Sequence, residues 1–228
     1  MEDQKTKLAL IQHFSQYITD QRKAIMENVL SQRTRHLTLV LEDIYQAQNA
    51  SAVVRTCECL GVQDIHVVEN ESSYEVNKKV VMGSNKWIDI KRYKMKGMNN
   101  TASCFDHLRN DGYTILVTDP SIEGTSIDDI DVSRKLALVM GNELEGISDY
   151  ALQHADGKVR IPMFGFTESF NISVSAAICL NTLLFKLRRS DVNWQLTEQE
   201  MTDIRLKWFR KMVKRSEIIE KEFLRSIQ

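Results

Sequence analysis

The chain has 228 residues, 43% of them hydrophobic and 27% charged, with only two prolines and nine glycines. That balance excludes a disordered chain and suits one compact α/β domain with helical additions. A formal net charge of −1 excludes a surface built throughout for polyanions, so any nucleic-acid face must come from local clusters.

The polar, acidic start Met1-Glu-Asp-Gln-Lys5 lacks the basic and apolar regions of a signal peptide. No apolar run approaches the roughly 20 residues that span a bilayer. The expectation is a soluble cytoplasmic protein with no membrane partner. Cys57, Cys59, Cys104 and Cys179 lack Cys-x-x-Cys spacing and nearby His partners, so they predict buried, reduced thiols and no metal site.

From Lys5 to Leu30, apolar residues at Leu8, Ile11, Phe14, Ile18, Ile25 and Val29 follow the helical period, which predicts one long helix or a helical pair. Arg33-Thr-Arg35-His36 follows as a small basic cluster. It is either solvated surface or, beside a nucleic-acid site, a phosphate contact.

Strands are predicted at His36 to Ile44, Asp64 to Val68, Ile88 to Ile90, Tyr113 to Thr118, Lys135 to Met140 and Val159 to Met163. Helical or loop segments between most of them argue for a mostly parallel sheet covered on both faces.

Asn49 to Gly61 predicts a helix of about three turns, with Asn49 as N-cap and Gly61 as C-terminal stop. Ala50, Val53, Val54, Cys57 and Leu60 form its buried stripe; Ser51 and Arg55, four apart, share another face. That face is expected toward the end of the sheet where open α/β folds bind ligands. An Arg there is ordinarily a surface salt-bridge partner.

Gly141-Asn142-Glu143-Leu144-Glu145-Gly146 follows the fifth predicted strand. Its Gly-x4-Gly spacing resembles the start of a phosphate-binding P-loop, but Ile147 stands where that loop needs Lys. No Gly-x-Gly-x-x-Gly follows the first strand either, so an ordinary dinucleotide or Rossmann methyltransferase site lacks its usual Gly-rich turn.

Farther on, Val159 to Met163 leads through Pro162 and Gly165 into a polar loop and a helix of small apolar residues. Ser169, Asn171, Ser173 and Ser175 sit at alternate positions where that helix begins. Capping needs one of them; the excess also suits a loop that presents polar groups to a ligand.

The C-terminal segment opens with a capping box at Thr197 and Glu200. An apolar stripe of Ile204, Trp208, Met212, Ile219 and Phe223 follows, with Lys207, Arg210, Lys211 and Lys214 on another face. The stripe is expected to dock on the domain or on a second subunit.

Three separated stretches carry a resemblance. Asn49-Ala-Ser-Ala-Val-Val-Arg55-Thr56, Met140-Gly-Asn-Glu143-Leu-Glu-Gly146-Ile, and Ile161-Pro-Met163 through Ser169-Phe-Asn171-Ile-Ser173-Val-Ser-Ala resemble the three motifs of the SpoU, or TrmH-like, RNA 2′-O-ribose methyltransferases. Gly83-Ser84-Asn85-x-Trp87 resembles a piece between the first two. The resemblance implies a SPOUT-class α/β domain over 36–189 with a deep C-terminal trefoil knot, helical extensions over 1–35 and 190–228, a homodimer, and S-adenosylmethionine as cofactor.

Carried over by position, the cofactor pocket falls on Thr118, Met140, Gly141, Asn142, Ile161, Met163 and Phe170; Phe170 stands where many relatives have Leu. Arg55 would activate the ribose 2′-hydroxyl, with Asn49, Glu143, Ser169 and Asn171 shaping the site. A guanidinium keeps its proton at any ordinary pH. Either it holds a substrate phosphate that takes part in proton removal, or burial depresses its pKa; the first is preferred.

The short extensions resemble those of the tRNA-specific branch, and Arg22, Lys23, Arg33 and Arg35 with the basic stretch Lys207 to Arg215 add charge for RNA. The expected substrate is tRNA at a D-loop guanosine. Ribosomal RNA as substrate, and a non-catalytic RNA-binding protein of the same fold, are the alternatives.

Overall fold

A computed structural model describes residues 3–120 and 123–227, so the first two residues of the acidic N-terminus lie outside the described residues. The chain forms two compact units. One joins the residues up to Arg33 to those from Gln195 onward; the other runs Thr34–Trp194.

The larger unit is built on seven parallel strands, β1 Leu37–Glu42, β2 Asp64–Val68, β3 Asp89–Tyr93, β4 Thr114–Thr118, β5 Thr125–Ser126, β6 Leu136–Met140 and β7 Gly157–Arg160. Their order across the sheet is β3-β2-β1-β6-β4-β7-β5. Every residue of β1, β2 and β6 is buried, as expected for parallel strands covered on both faces.

Alternation then divides the core. Leu37, Leu39 and Leu41 face a cluster that includes helix α3 (Ala47–Leu60) and helix α7 (Ile172–Arg188). Val40 faces Phe105 and Leu108 of α5 (Asn100–Asn110) and Ala151 of α6 (Asp149–His154). The short helix α4 (Lys78–Val81) is held to α3 where Ser51 Oγ accepts the Asn77 N–H at 2.8 Å.

Several predicted boundaries move. The last strand ends at Arg160 rather than Met163, because Ser126 of β5 is the last residue paired to it and Pro162 has no N–H to extend the ladder. Helix α3 begins at Ala47, and Asn49 is not its N-cap; Gln46 holds that position without a side-chain bond. Gly61 does close the helix, in the left-handed region at φ 85°, where a Cβ is disfavoured.

Several charged groups expected at the surface are engaged within the fold. The Arg33 side chain is buried over the Trp208 ring, 5.4 Å from its centroid. Arg35 donates to Asp64 and to Asp89, each at 3.1 Å, and His36 Nε2 lies 2.8 Å from the Val132 carbonyl. Cys59 is exposed, against the expectation of four buried thiols.

In the smaller unit, the N-terminal segment is a helical pair, α1 Gln4–Ser15 and α2 Asp20–Ser31. The C-terminal segment is α8 Glu198–Met212, with the predicted capping box formed, and α9 Ser216–Ser226. Arg215 at φ 58° stands between them, so Lys214 lies outside both helices. The apolar stripe turns inward against the helical pair: Ile204 and Trp208 are buried, and Phe223 stacks on His13 with centroids 4.3 Å apart. Among the described residues, no helix is long and apolar enough to cross a membrane.

His66 in β2 is fully buried, its Nδ1 2.9 Å from the Tyr93 hydroxyl. Burial, then the nearby Lys91 and His107, push its pKa down to about 3. The unfolded imidazole titrates near 6.5, so below that pH the unfolded chain takes up a proton that the fold refuses. The stability is intact above about pH 6.5 and is lost as pH falls toward 3. Urea denaturation across pH 4 to 6 should show the native chain losing up to about 1.4 kcal/mol per pH unit more than His66→Gln.

Candidate active site

A cavity of about 680 Å³ opens at the carboxyl ends of β4 and β6, within the size range of small-molecule sites. Its wall includes Thr118, Met140 to Ile147, Ile161, Met163 and Ser169 to Ile172.

The loop after β6 is shaped by backbone rather than by side-chain charge. Asn142 and Gly146 exchange backbone hydrogen bonds of 2.8 and 2.9 Å. A Cβ on Gly141 would lie 2.3 Å from the Gly146 carbonyl oxygen, so only glycine fits there. Asn142 Oδ1 accepts the Leu144 N–H at 2.8 Å, and its Nδ2 donates to the Asp43 carbonyl at 2.6 Å.

Glu143 projects from this loop to the start of α3. Its carboxylate accepts the Tyr45 N–H at 3.0 Å, the Gln46 N–H at 3.4 Å and the Asn49 side-chain amide at 2.8 Å. It thereby holds Tyr45 and Gln46 at the entry to the helix and places negative charge at the helix's positive end.

Asn171 joins the same chain of bonds. Its Oδ1 caps α7 by accepting the Ser173 N–H at 2.9 Å and the Ser173 hydroxyl at 2.7 Å, while its Nδ2 donates to Asn49 Oδ1 at 3.2 Å. Asn171 therefore does both things weighed from the sequence: one end caps, the other reaches into the site.

All the predicted residues but one come together around this cavity: Asn49, Thr118, Met140, Gly141, Asn142, Glu143, Ile161, Met163, Ser169, Phe170 and Asn171 line it. Arg55 does not. It is exposed on α3, and its guanidinium makes no hydrogen bond or ion pair to another described residue. Ser51 is buried, its hydroxyl donating to the Ala47 carbonyl at 2.6 Å. Thr118 likewise turns its hydroxyl inward, onto the Val139 carbonyl at 2.9 Å, leaving backbone and methyl for a ligand.

Asp119 was missed. It lines the cavity and pairs with Lys158, Nζ to Oδ2 at 3.0 Å, and it holds the lysine pKa above its ordinary value. Its position just past the end of β4 was the available signal, since open α/β folds bind ligands there. The charged residues on the described wall are Asp119, Glu143 and Glu145; none is basic.

Such a wall suits an uncharged or cationic small molecule with a broad apolar part. Ile161, Met163 and Phe170 offer surface for a flat ring, and the Gly141–Gly146 turn brings backbone close. An adenosyl group bearing a sulfonium meets no cation among the described residues of this wall.

Comparison with known proteins agrees on one family. The SpoU rRNA Methylase family matches residues 36–181. A tRNA (guanosine(18)-2′-O)-methyltransferase of Borreliella burgdorferi is 43% identical over 206 residues, covering 90% of this chain and 92% of its own. The enzyme of that name from Thermus thermophilus is 30% identical over 185 residues, covering 81% and 91%. A crystal structure of an A. aeolicus TrmH/SpoU tRNA modifying enzyme aligns with a TM-score of 0.75 at 29% identity, covering 85% of this chain and 98% of that one.

If Glu143 and Asn49 act as one unit in holding the start of α3, their removal is not additive. Glu143→Ala should cost about 1–2 kcal/mol of stability. Asn49→Ala added to it should cost clearly less than in the native chain, as measured by a double-mutant cycle in urea.

Proposed function

The chain belongs to the SpoU rRNA Methylase family, and from that premise we propose that it transfers the methyl group of S-adenosylmethionine to the ribose 2′-oxygen of a tRNA guanosine. The relatives' names point to guanosine 18. One observation carries the reading: three stretches separated in the sequence meet at one cavity through the Glu143–Asn49 and Asn171–Asn49 hydrogen bonds.

The cofactor, when bound, supplies a methyl group already activated by its sulfonium. The protein must then align the 2′-oxygen with that methyl and help one proton leave. Ile161, Met163 and Phe170 hold the adenosyl end, with the backbone around Gly141 and Asn142. Glu143, Asn49, Ser169 and Asn171 shape the side that the ribose enters. The reading calls for no metal.

Arg55 holds the phosphate next to the reacting ribose, for which a guanidinium fork is well suited. The family's deep trefoil knot and homodimer belong to this reading. In it, the partner subunit's Arg55 completes the site, a reading supported by the exposure of Arg55 and its absence from the cavity wall of a single chain. Phe164 and Phe166, at 98% and 109% relative exposure, are surfaces that a second copy would cover. The segments 1–35 and 190–228 act as tRNA-holding extensions in sequence to the methyltransferase domain 36–189, in the cytoplasm, with exposed Lys214 and Arg215 offered to phosphates.

Labelled S-adenosylmethionine with unmodified total tRNA should yield 2′-O-methylguanosine on nuclease digestion. Label found only in ribosomal RNA would overturn the substrate. Arg55→Ala should lower methyl transfer at least about a hundredfold while titration calorimetry shows cofactor affinity unchanged; lost cofactor binding would make Arg55 structural.

A further inference from the structure

Helix α4 and the residue that ends it carry an exposed face that lies outside the cavity wall. Lys78 and Lys79 open α4, and both are exposed. Neither ammonium makes a hydrogen bond or ion pair to another described residue. In the same unit, Lys91, Arg92 and Lys158 are paired with Asp64, Glu69 and Asp119.

This face is held firmly beside the helix that bears Arg55. Ser51 of α3 is fully buried and its Oγ accepts the Asn77 N–H at 2.8 Å; Asn77 Oδ1 then caps α4 by accepting the Lys79 N–H at 3.0 Å. Val81 of α4 is buried in the same apolar cluster as Val54 of α3. The segment leading into α4 is braced as well. Asp43 Oδ1 accepts the N–H groups of Asn70, Glu71 and Ser72 at 2.7, 2.9 and 3.1 Å, and Glu69 accepts the Tyr74 N–H at 2.9 Å. Arg55 lies one helical turn on from Ser51, on the same side of α3, so Arg55, Lys78 and Lys79 stand on packed neighbouring elements.

Met82 ends α4 in the left-handed region at φ 49°, with 69% of its surface exposed. That backbone is costly for a long side chain, and the exposed thioether adds nothing to the core. Unpaired cations beside a soft apolar side chain suit an RNA strand: ammonium groups meet phosphates, and the thioether lies against the face of an unstacked base.

We infer that Lys78, Lys79 and Met82 form a second RNA-contacting face beside Arg55, with the lysines on phosphates and Met82 against a base of the strand that flanks the reacting ribose. This rests on the tRNA methyltransferase reading above. It holds whichever copy's cavity Arg55 serves, because Arg55 and the face belong to packed elements of one chain.

The test separates RNA binding from cofactor binding. Unmodified tRNA is titrated at several salt concentrations into the full-length native chain, Lys78→Gln/Lys79→Gln and Met82→Gly, with S-adenosylhomocysteine calorimetry and thermal unfolding on each. Arg134→Gln/Lys135→Gln removes the same charge from exposed residues at the amino end of β6. Loss of Lys78 and Lys79 should weaken tRNA binding roughly tenfold and lower the slope of log affinity against log salt by about 1 to 2, with cofactor affinity unchanged; the pair before β6 should cost much less. Met82→Gly should weaken tRNA binding severalfold without lowering the unfolding temperature, since glycine takes the left-handed backbone freely.

An equal effect from the two charge pairs, or none from Lys78→Gln/Lys79→Gln, would overturn the face while leaving the methyltransferase reading in place. Unchanged tRNA affinity in Met82→Gly would overturn the base contact. A native chain that binds S-adenosylhomocysteine but no tRNA would overturn the tRNA reading, and this inference with it.

Discussion

The Glu143 carboxylate is the point on which the site depends. Helix α3 starts without a side-chain cap of its own. Glu143, from a loop almost a hundred residues away, accepts the N–H groups of Tyr45 and Gln46 just before the helix, and the same carboxylate holds the Asn49 side-chain amide. Asn49 in turn accepts from Asn171, which caps α7. Two helix starts and the loop after β6 are therefore set relative to one another by side-chain bonds, and the cavity wall follows from their positions. Loss of one partner leaves the others with unsatisfied polar groups, which is where such networks are most costly.

Backbone geometry explains why the site can lack both phosphate-binding lysine and glycine-rich turn. The Gly141–Gly146 turn is closed by its own two hydrogen bonds and passes so close at Gly141 that no side chain fits. A wall made this way presents peptide groups and apolar side chains instead of a concentrated charge. That suits a cofactor whose reacting centre is itself positive, since a basic wall would work against the bound sulfonium.

Much of the fold was legible because the sheet is parallel and covered on both faces. Its strands are near-continuous apolar runs, and β2 falls within its predicted bounds. The gathering of most site residues followed from three motifs in order. What local pattern could not provide were partners distant in sequence. Arg33 and Arg35 look like a free basic cluster, yet Trp208 and the Asp64–Asp89 pair engage them. Asn49 looks like a cap because Asn commonly is one, but the helix starts two residues earlier and the Asn49 side-chain amide is bound to Glu143. The break at Arg215 has neither Gly nor Pro to announce it, only a left-handed backbone.

Arg55 stands apart from this network, and its isolation bears on the chemistry. The guanidinium is exposed and makes no hydrogen bond or ion pair to another described residue, and a guanidinium is ill suited to be the base that removes a hydroxyl proton. What it can do is fix a phosphate by two parallel hydrogen bonds, which sets the neighbouring ribose and leaves a phosphate oxygen as acceptor. The division of labour is physical: the Glu143–Asn49–Asn171 network, bound up with the helix starts, holds the shape of the cavity, while Arg55, on the same helix, lies outside that network.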